Sequence, residues 1–189
     1  MDAADWSDDS EKLNRTGCGK RQERAEMEGT TPLEIRRADP HDAQAIAEVL
    51  HASFVEFKHL YTEGGFAATA VNVEEVVVRM REGPVWVALL GGAVIGTVAA
   101  VVKDESVYIR GMAVLPGTRR TGIGVRLLEQ VEKWASSERC KRLFLSTTPL
   151  LSAAIRLYER YGFRRTDAGL QDLFGTPLFT MEKLVSTSS

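Results

Sequence analysis

The alternation of apolar and polar positions begins at about Leu33; from Met1 to about Thr31 the chain is dominated by Asp, Glu, Lys, Arg, Ser and Gly. A stretch of that kind cannot bury enough surface to offset the entropy of ordering it, so residues 1–31 read as a disordered charged tail. Met27, just before the globular pattern, is an alternative start. Leu33-Glu34-Ile35-Arg36-Arg37 alternates at the strand period. Asp39-Pro40 opens a helix, with Asp39 as cap, Pro40 in the first turn, and Ala43, Ile46, Ala47 and Leu50 as the apolar face. Phe54, Phe57, Tyr61 and Phe66 follow, interrupted by Gly64-Gly65. They read either as core or as a mobile aromatic wall of a substrate pocket. Val73–Arg81 is a helix capped by Asn72 and closed at Gly83-Pro84.

Two valine-rich strands, Val85–Leu90 and Ala93–Lys103, are joined at Gly91-Gly92, a hairpin signal. Asp104-Glu105 turns the chain into a third strand, Ser106–Leu115. A strand at Arg142–Thr147, a helix at Ser152–Tyr161 stopped by Gly162, a strand from Phe163, a loop over Leu170–Gly175 and a last strand at Pro177–Leu184 complete the domain, residues 32–185. The helix between the third strand and Arg142–Thr147 makes a right-handed crossover, which sets those two strands parallel. The fold class is α/β, with helices around a mixed sheet.

One stretch carries chemistry. Met112-Ala113-Val114-Leu115 ends at Pro116-Gly117, and Arg119-Arg120-Thr121-Gly122-Ile123-Gly124-Val125 leads into an amphipathic helix with Ile123, Leu127, Leu128, Val131 and Trp134 on one face. First-turn N–H groups lack partners inside a helix and sit at the positive end of its dipole, so this loop is a seat for an anion. Gly122 and Gly124 allow close backbone approach, and Arg119 and Arg120 supply charge. An ordinary turn with solvated arginines is the plain alternative. Gly122 is followed by Ile123-Gly124 rather than Lys-Ser/Thr, which excludes a P-loop. Leu127 occupies the place of the third small residue of a dinucleotide fingerprint.

Composition narrows the partners. At 189 residues, 44% hydrophobic and 26% charged, the chain is an ordinary globular domain. A net charge of −2 argues against nucleic acid, and no apolar run is long enough to span a membrane. Met1-Asp2-Ala3-Ala4-Asp5-Trp6 lacks the order of a signal peptide, and the well-separated Cys18 and Cys140 point to a reducing cytoplasm rather than a disulfide framework. His41, His51 and His59 show no metal-ligand spacing, so no metal is expected.

The Arg-x-x-Gly-x-Gly loop after a strand resembles the pyrophosphate-binding signature of the GNAT superfamily of acetyl-CoA-dependent N-acetyltransferases. Ala154-x-x-Leu157-Tyr158-x-x-x-Gly162-Phe163 resembles the later helix, glycine and strand start of the same family. The likeness covers about Leu33 to Leu184. It implies a mixed sheet whose central strands splay apart to admit acetyl-CoA. The pantetheine arm would pair with Met112, Ala113 and Val114, and the pyrophosphate would take N–H groups from Arg120, Thr121, Gly122, Ile123, Gly124 and Val125, with Arg119 at the loop's leading position. Tyr158 matches the tyrosine that serves as general acid toward the leaving thiolate. Its residue-level alternative is packing between helix and sheet.

Two positions depart from the family. Tyr108 stands where many relatives carry a Glu base, and Leu151 where many carry Asn. Glu105 lies nearby but reads as a solvated turn carboxylate, so the base is unassigned. The resemblance implies acetyl transfer to a primary amine of a small molecule or amino-acid-like acceptor, and allows a homodimer. A protein or peptide acceptor and a non-catalytic acetyl-CoA-binding module are the alternatives.

Overall fold

The alternation within β2 (Val85–Leu90) shows how the sheet is covered. Val85, Val87 and Leu89 join one buried cluster, whereas Trp86 and Ala88 join the other. Period-two side chains point to opposite faces, so a strand buried on both is a near-continuous apolar run. In this computed structural model, which describes residues 32–167, 169 and 171–185, the charged N-terminal stretch lies outside the described residues.

β1 (Leu33–Arg37), β2, β3 (Ala93–Lys103) and β4 (Ser106–Val114) run antiparallel in sequence order. Gly91 and Gly92, at φ 60 and 80, form the expected hairpin turn between β2 and β3. β4 then pairs in parallel with β5 (Arg142–Thr147), as the crossover through α4 (Ile123–Ser137) requires. β8 (Thr176–Leu184) lies antiparallel beside β5, with the two-residue β6 (Arg164–Arg165) on its other side.

Helices cover both faces. α1 (Ala43–Phe54) and α3 (Val73–Glu82) pack Ile46, Leu50 and Val76 on the side of Val87 and Ala99. α4 and α5 (Ser152–Tyr161) pack Leu127, Leu128, Val131 and Tyr158 on Val107, Ile109, Leu143 and Leu145. The Tyr161 hydroxyl donates to Glu132 at 2.7 Å, and Lys183 donates to the other oxygen of the same carboxylate at 2.5 Å, tying α5, α4 and β8 together.

Three expectations are refined. Asp39 does cap, in a reciprocal capping box with Asp42, but Pro40–Asp42 is a 3-10 turn before α1 starts. The aromatic stretch is a 3-10 segment, Val55–Leu60, followed by α2 (Glu63–Thr69). Gly65 does not break that helix: a Cβ there would lie 2.3 Å from Thr176 Oγ1, so it lets α2 seat against β8. Finally, the expected loop over Leu170–Gly175 contains a strand, β7 (Gln171–Leu173), paired with the start of β8. Phe174 and Gly175 both have positive φ, 50 and 85, so the hairpin turns on a phenylalanine in a left-handed conformation, which no turn rule anticipates.

Candidate active site

β4 and β5 part company halfway along. Their ladder runs from Ser106 opposite Arg142 to Ile109 opposite Leu145. Among the described residues β5 continues to Thr147 paired with β8 alone, and β4 continues to Val114. Gly111, at φ +57, sits where the β3 register slips between Thr97 and Ala99, so two residues of β4 oppose one of β3. A bulge of this kind bends the strand and re-aims its edge. The β5-facing edge over Met112, Ala113 and Val114 is therefore left without a strand partner, which is the splay that the family resemblance implies.

Beyond β4 a 3-10 turn, Pro116–Thr118, leads to the Arg/Gly loop. Arg120 takes φ +68 and Gly122 takes φ +85, and Thr121 Oγ1 donates to the Thr118 carbonyl at 2.7 Å. Gly122 is the N-cap of α4, and no side chain caps that end. The N–H groups of Ile123, Gly124 and Val125 consequently face outward without an intrahelical acceptor, at the positive end of a fifteen-residue helix.

Arg119 is used differently from Arg120. Its Nε donates to the Val114 carbonyl at 3.1 Å, one Nη donates to the Ser53 carbonyl at 2.9 Å, and the other pairs with Glu56. The guanidinium fastens the loop to β4 and to the end of α1. Arg120 is exposed and makes no side-chain bond to a described residue, so the outward-facing charge of the loop is Arg120.

The two sequence motifs meet in space. A Cβ on Gly124 would lie 2.8 Å from Leu157 Cδ2 and 3.4 Å from Met112 Cε. Glycine thus lets the first turn of α4 close onto α5 and onto the splayed end of β4. Tyr158, the residue after Leu157, is buried and packs edge-on against Phe163, ring centroids 5.9 Å apart. Burial, and to a lesser degree the nearby Tyr61, raises its pKa well above that of an ordinary phenol. Tyr61 packs edge-on against Phe66 at 6.4 Å, and burial pushes its own pKa up to about 12.

On the other side of β4, Tyr108 lies against Phe144 at 5.1 Å. Burial raises its pKa, opposed by the Ser146 hydroxyl and by Arg79, so it is a neutral phenol and no proton acceptor at neutral pH. Glu105 is an exposed partner of Lys141 at 2.8 Å. An open hollow of about 630 Å³ spreads over Tyr108, Phe144, Ser146 and Thr180. Two residues that sequence reasoning passed over stand near Tyr108. Arg79 from α3 reaches Gly111, its Nη1 lying 3.4 Å from where a Cβ would be, and Arg110 pairs with Glu82. The available signal was Arg110 itself, a cation inside an otherwise apolar strand. Among the described residues no group of side chains could hold a metal ion, and no helix is long and apolar enough to cross a membrane.

Known proteins are similar to this chain. The Acetyltransferase (GNAT) family pattern matches residues 45–163, a span that includes the splay, the loop and Tyr158. The N-acetyltransferase YjgM of Escherichia coli K12, itself described as uncharacterized, is 30% identical over 142 residues, covering 72% of this chain and 84% of that protein. N-acetylaspartate synthetase of Danio rerio is 33% identical over 107 residues, 56% of this chain but 38% of the relative, so the chain spans well under half of that protein's length. The PaiA N-acetyltransferase of Thermoplasma acidophilum, solved in complex with coenzyme A, superposes with a TM-score of 0.67 at 20% identity, over 81% of this chain and 99% of that one. At that identity the likeness is one of fold. With the family pattern spanning both motifs and the intervening strand, the chain belongs to the GNAT family of acetyltransferases.

Proposed function

We propose that the protein transfers the acetyl group of acetyl-CoA directly to the primary amine of a small acceptor. The observation that carries this reading is the convergence of Gly124, Met112 and Leu157, which brings together an uncapped helix end, a strand edge without a partner among the described residues and the residue before Tyr158. Acetyl-CoA supplies the activated acyl group as a thioester. The N–H groups of Ile123, Gly124 and Val125 suit its pyrophosphate, with Arg120 adding charge. Met112, Ala113 and Val114 offer backbone to the pantetheine arm, and an N–H of Ala113 or Val114 suits the carbonyl oxygen as negative charge develops on it. Tyr158 keeps its proton at neutral pH and donates toward the departing sulfur. Catalysis resides in residues 32–185, and the buried free thiol of Cys140 fits a reducing cytoplasm.

A small acceptor is favoured by the naming of a relative for N-acetylaspartate synthesis. The test is calorimetry with acetyl-CoA joined to a free-thiol release assay over an amine panel. Binding together with amine-dependent release supports the assignment. Release with no amine, or with peptides alone, overturns it.

Two further outcomes are expected. Arg119→Met removes the fastening of the loop to Val114, Ser53 and Glu56, so it should raise the acetyl-CoA KM by about tenfold, with a smaller change in kcat. Steady-state kinetics with acetyl-CoA varied checks this. The second concerns alkaline pH. Folding raises the pKa values of Tyr61, Tyr108, Tyr158 and Tyr161, mainly by burial. Unfolded phenols ionise near pH 10, so stability is intact below that value and falls as pH rises beyond it. The kcat/KM profile should climb as the acceptor ammonium deprotonates and show no tyrosine-dependent fall below about pH 10. Melting curves and rates measured from pH 7 to 11 separate the two effects.

A further inference from the structure

Arg79 and Arg110 are two cations at the sheet side of the splay with one close carboxylate between them. Arg110 pairs with Glu82, and its own Nε is sealed from solvent without a partner. Arg79 donates through one Nη to the Ala68 carbonyl at 2.9 Å, and among the described residues no carboxylate lies within salt-bridge reach of it. Glu75, one turn earlier on α3, attracts it only at a distance, because that carboxylate accepts the Asn72 N–H of the helix cap. The other groups facing it are Tyr108, a neutral phenol, and Arg110, whose charge repels it.

A half-buried guanidinium without a counter-ion is costly, and a second cation beside it adds to that cost. Their natural complement is an anion, and a carboxylate meets the planar fork of a guanidinium best. The position says which anion. Arg79 Nη1 rests beside Gly111, the bulged residue next to Met112, so the charge stands beside the strand proposed to hold the thioester arm. It is on the face of Tyr108, opposite the α4 and α5 helices that border the pyrophosphate seat.

We propose that the acceptor is a carboxylate-bearing small amine, an amino acid, whose carboxylate is held by Arg79 with Arg110 behind it. This rests on the acetyl-transfer reading above. It also addresses the missing base. Guanidinium groups close to the acceptor's ammonium lower its pKa, which raises the fraction of neutral, attacking amine without a carboxylate at the Tyr108 position.

The test pairs L-amino acids with their amides, which keep the amine and lose the negative charge. Binding of each to the protein saturated with coenzyme A is measured by calorimetry, and thiol release is measured with acetyl-CoA at equal concentrations of neutral amine. Acids should bind at least about tenfold more tightly than amides. Arg79→Gln should abolish the difference while coenzyme A still binds, and Arg79→Lys should restore part of it. Circular dichroism and melting of both variants establish that they fold. Amides that bind or react as well as acids overturn the proposal, as does an unchanged preference in Arg79→Gln or the binding of neither class. An acid preference in binding without thiol release leaves the carboxylate site standing and overturns catalysis instead.

Discussion

Tyr158→Phe is expected to lower kcat by roughly a hundredfold or more, with acetyl-CoA affinity moving less than about twofold. The argument begins with what the hydroxyl does in the folded chain. It makes no hydrogen bond to a described residue, and the residue is buried. The ring packs on Phe163 within the α4 and α5 core, and phenylalanine preserves that packing. Stability should therefore stay within about 0.5 kcal/mol of the wild type. Burial holds the phenol neutral, which has two consequences. The proton is present at every physiological pH, and a tyrosinate is an expensive product. In the proposed reaction the hydroxyl would serve as a donor to charge developing on sulfur, where a hydrogen bond in a water-poor site is strong whether or not the proton crosses. Stopped-flow thiol release alongside calorimetry checks it. Equal turnover in the phenylalanine variant would remove Tyr158 from the chemistry.

The loop and helices behind that prediction were legible in sequence because they are built from local signals. Pro116-Gly117 marks a strand end, the spacing from Ile123 to Trp134 marks a helix, and Gly162 marks a helix stop; each depends on a few neighbouring residues. The bulge at Gly111 was not legible. It is a register slip between two strands, and a glycine inside a strand can signal several things. Arg119 shows the same limit at the level of one side chain. Its type announces a cation, but two of its three partners, Ser53 and Glu56, lie more than sixty residues away in sequence. The aromatic stretch from Phe54 to Phe66 was the hardest. Its glycines look like breakers, yet Gly65 is small because Thr176 of β8 sits against it, a constraint only the folded chain imposes. The proposed acceptor half would be composed of such long-range contacts. Arg79 and Arg110 meet from α3 and β4, and no spacing rule connects them.

The contact that delivers Arg79 gives the largest expected effect on stability, at Gly83. This residue ends α3 with φ 174 and ψ 178, an extended conformation open to any amino acid, so backbone strain is not the issue. Space is. A Cβ there would stand 2.1 Å from the Ala100 carbonyl oxygen and 3.3 Å from Val101 Cα, both backbone atoms of β3. The neighbourhood cannot yield by a rotamer change, because the Ala100 N–H is committed to the Pro84 carbonyl at 2.9 Å. Relief requires α3 to lift from β3 or the β2–β3 ladder to open. Gly83→Ala is therefore expected to cost at least about 3 kcal/mol, which for a domain of this size lowers Tm by roughly 6–12 °C. Lifting α3 also carries Arg79 and Glu82 away from Gly111 and Arg110, so KM for a carboxylate-bearing acceptor should rise even below the melting transition. Scanning calorimetry gives the first result and acceptor-varied kinetics the second. A variant that melts within about 2 °C of the wild type would mean that α3 is not held against β3 as closely as the Gly83 contact requires.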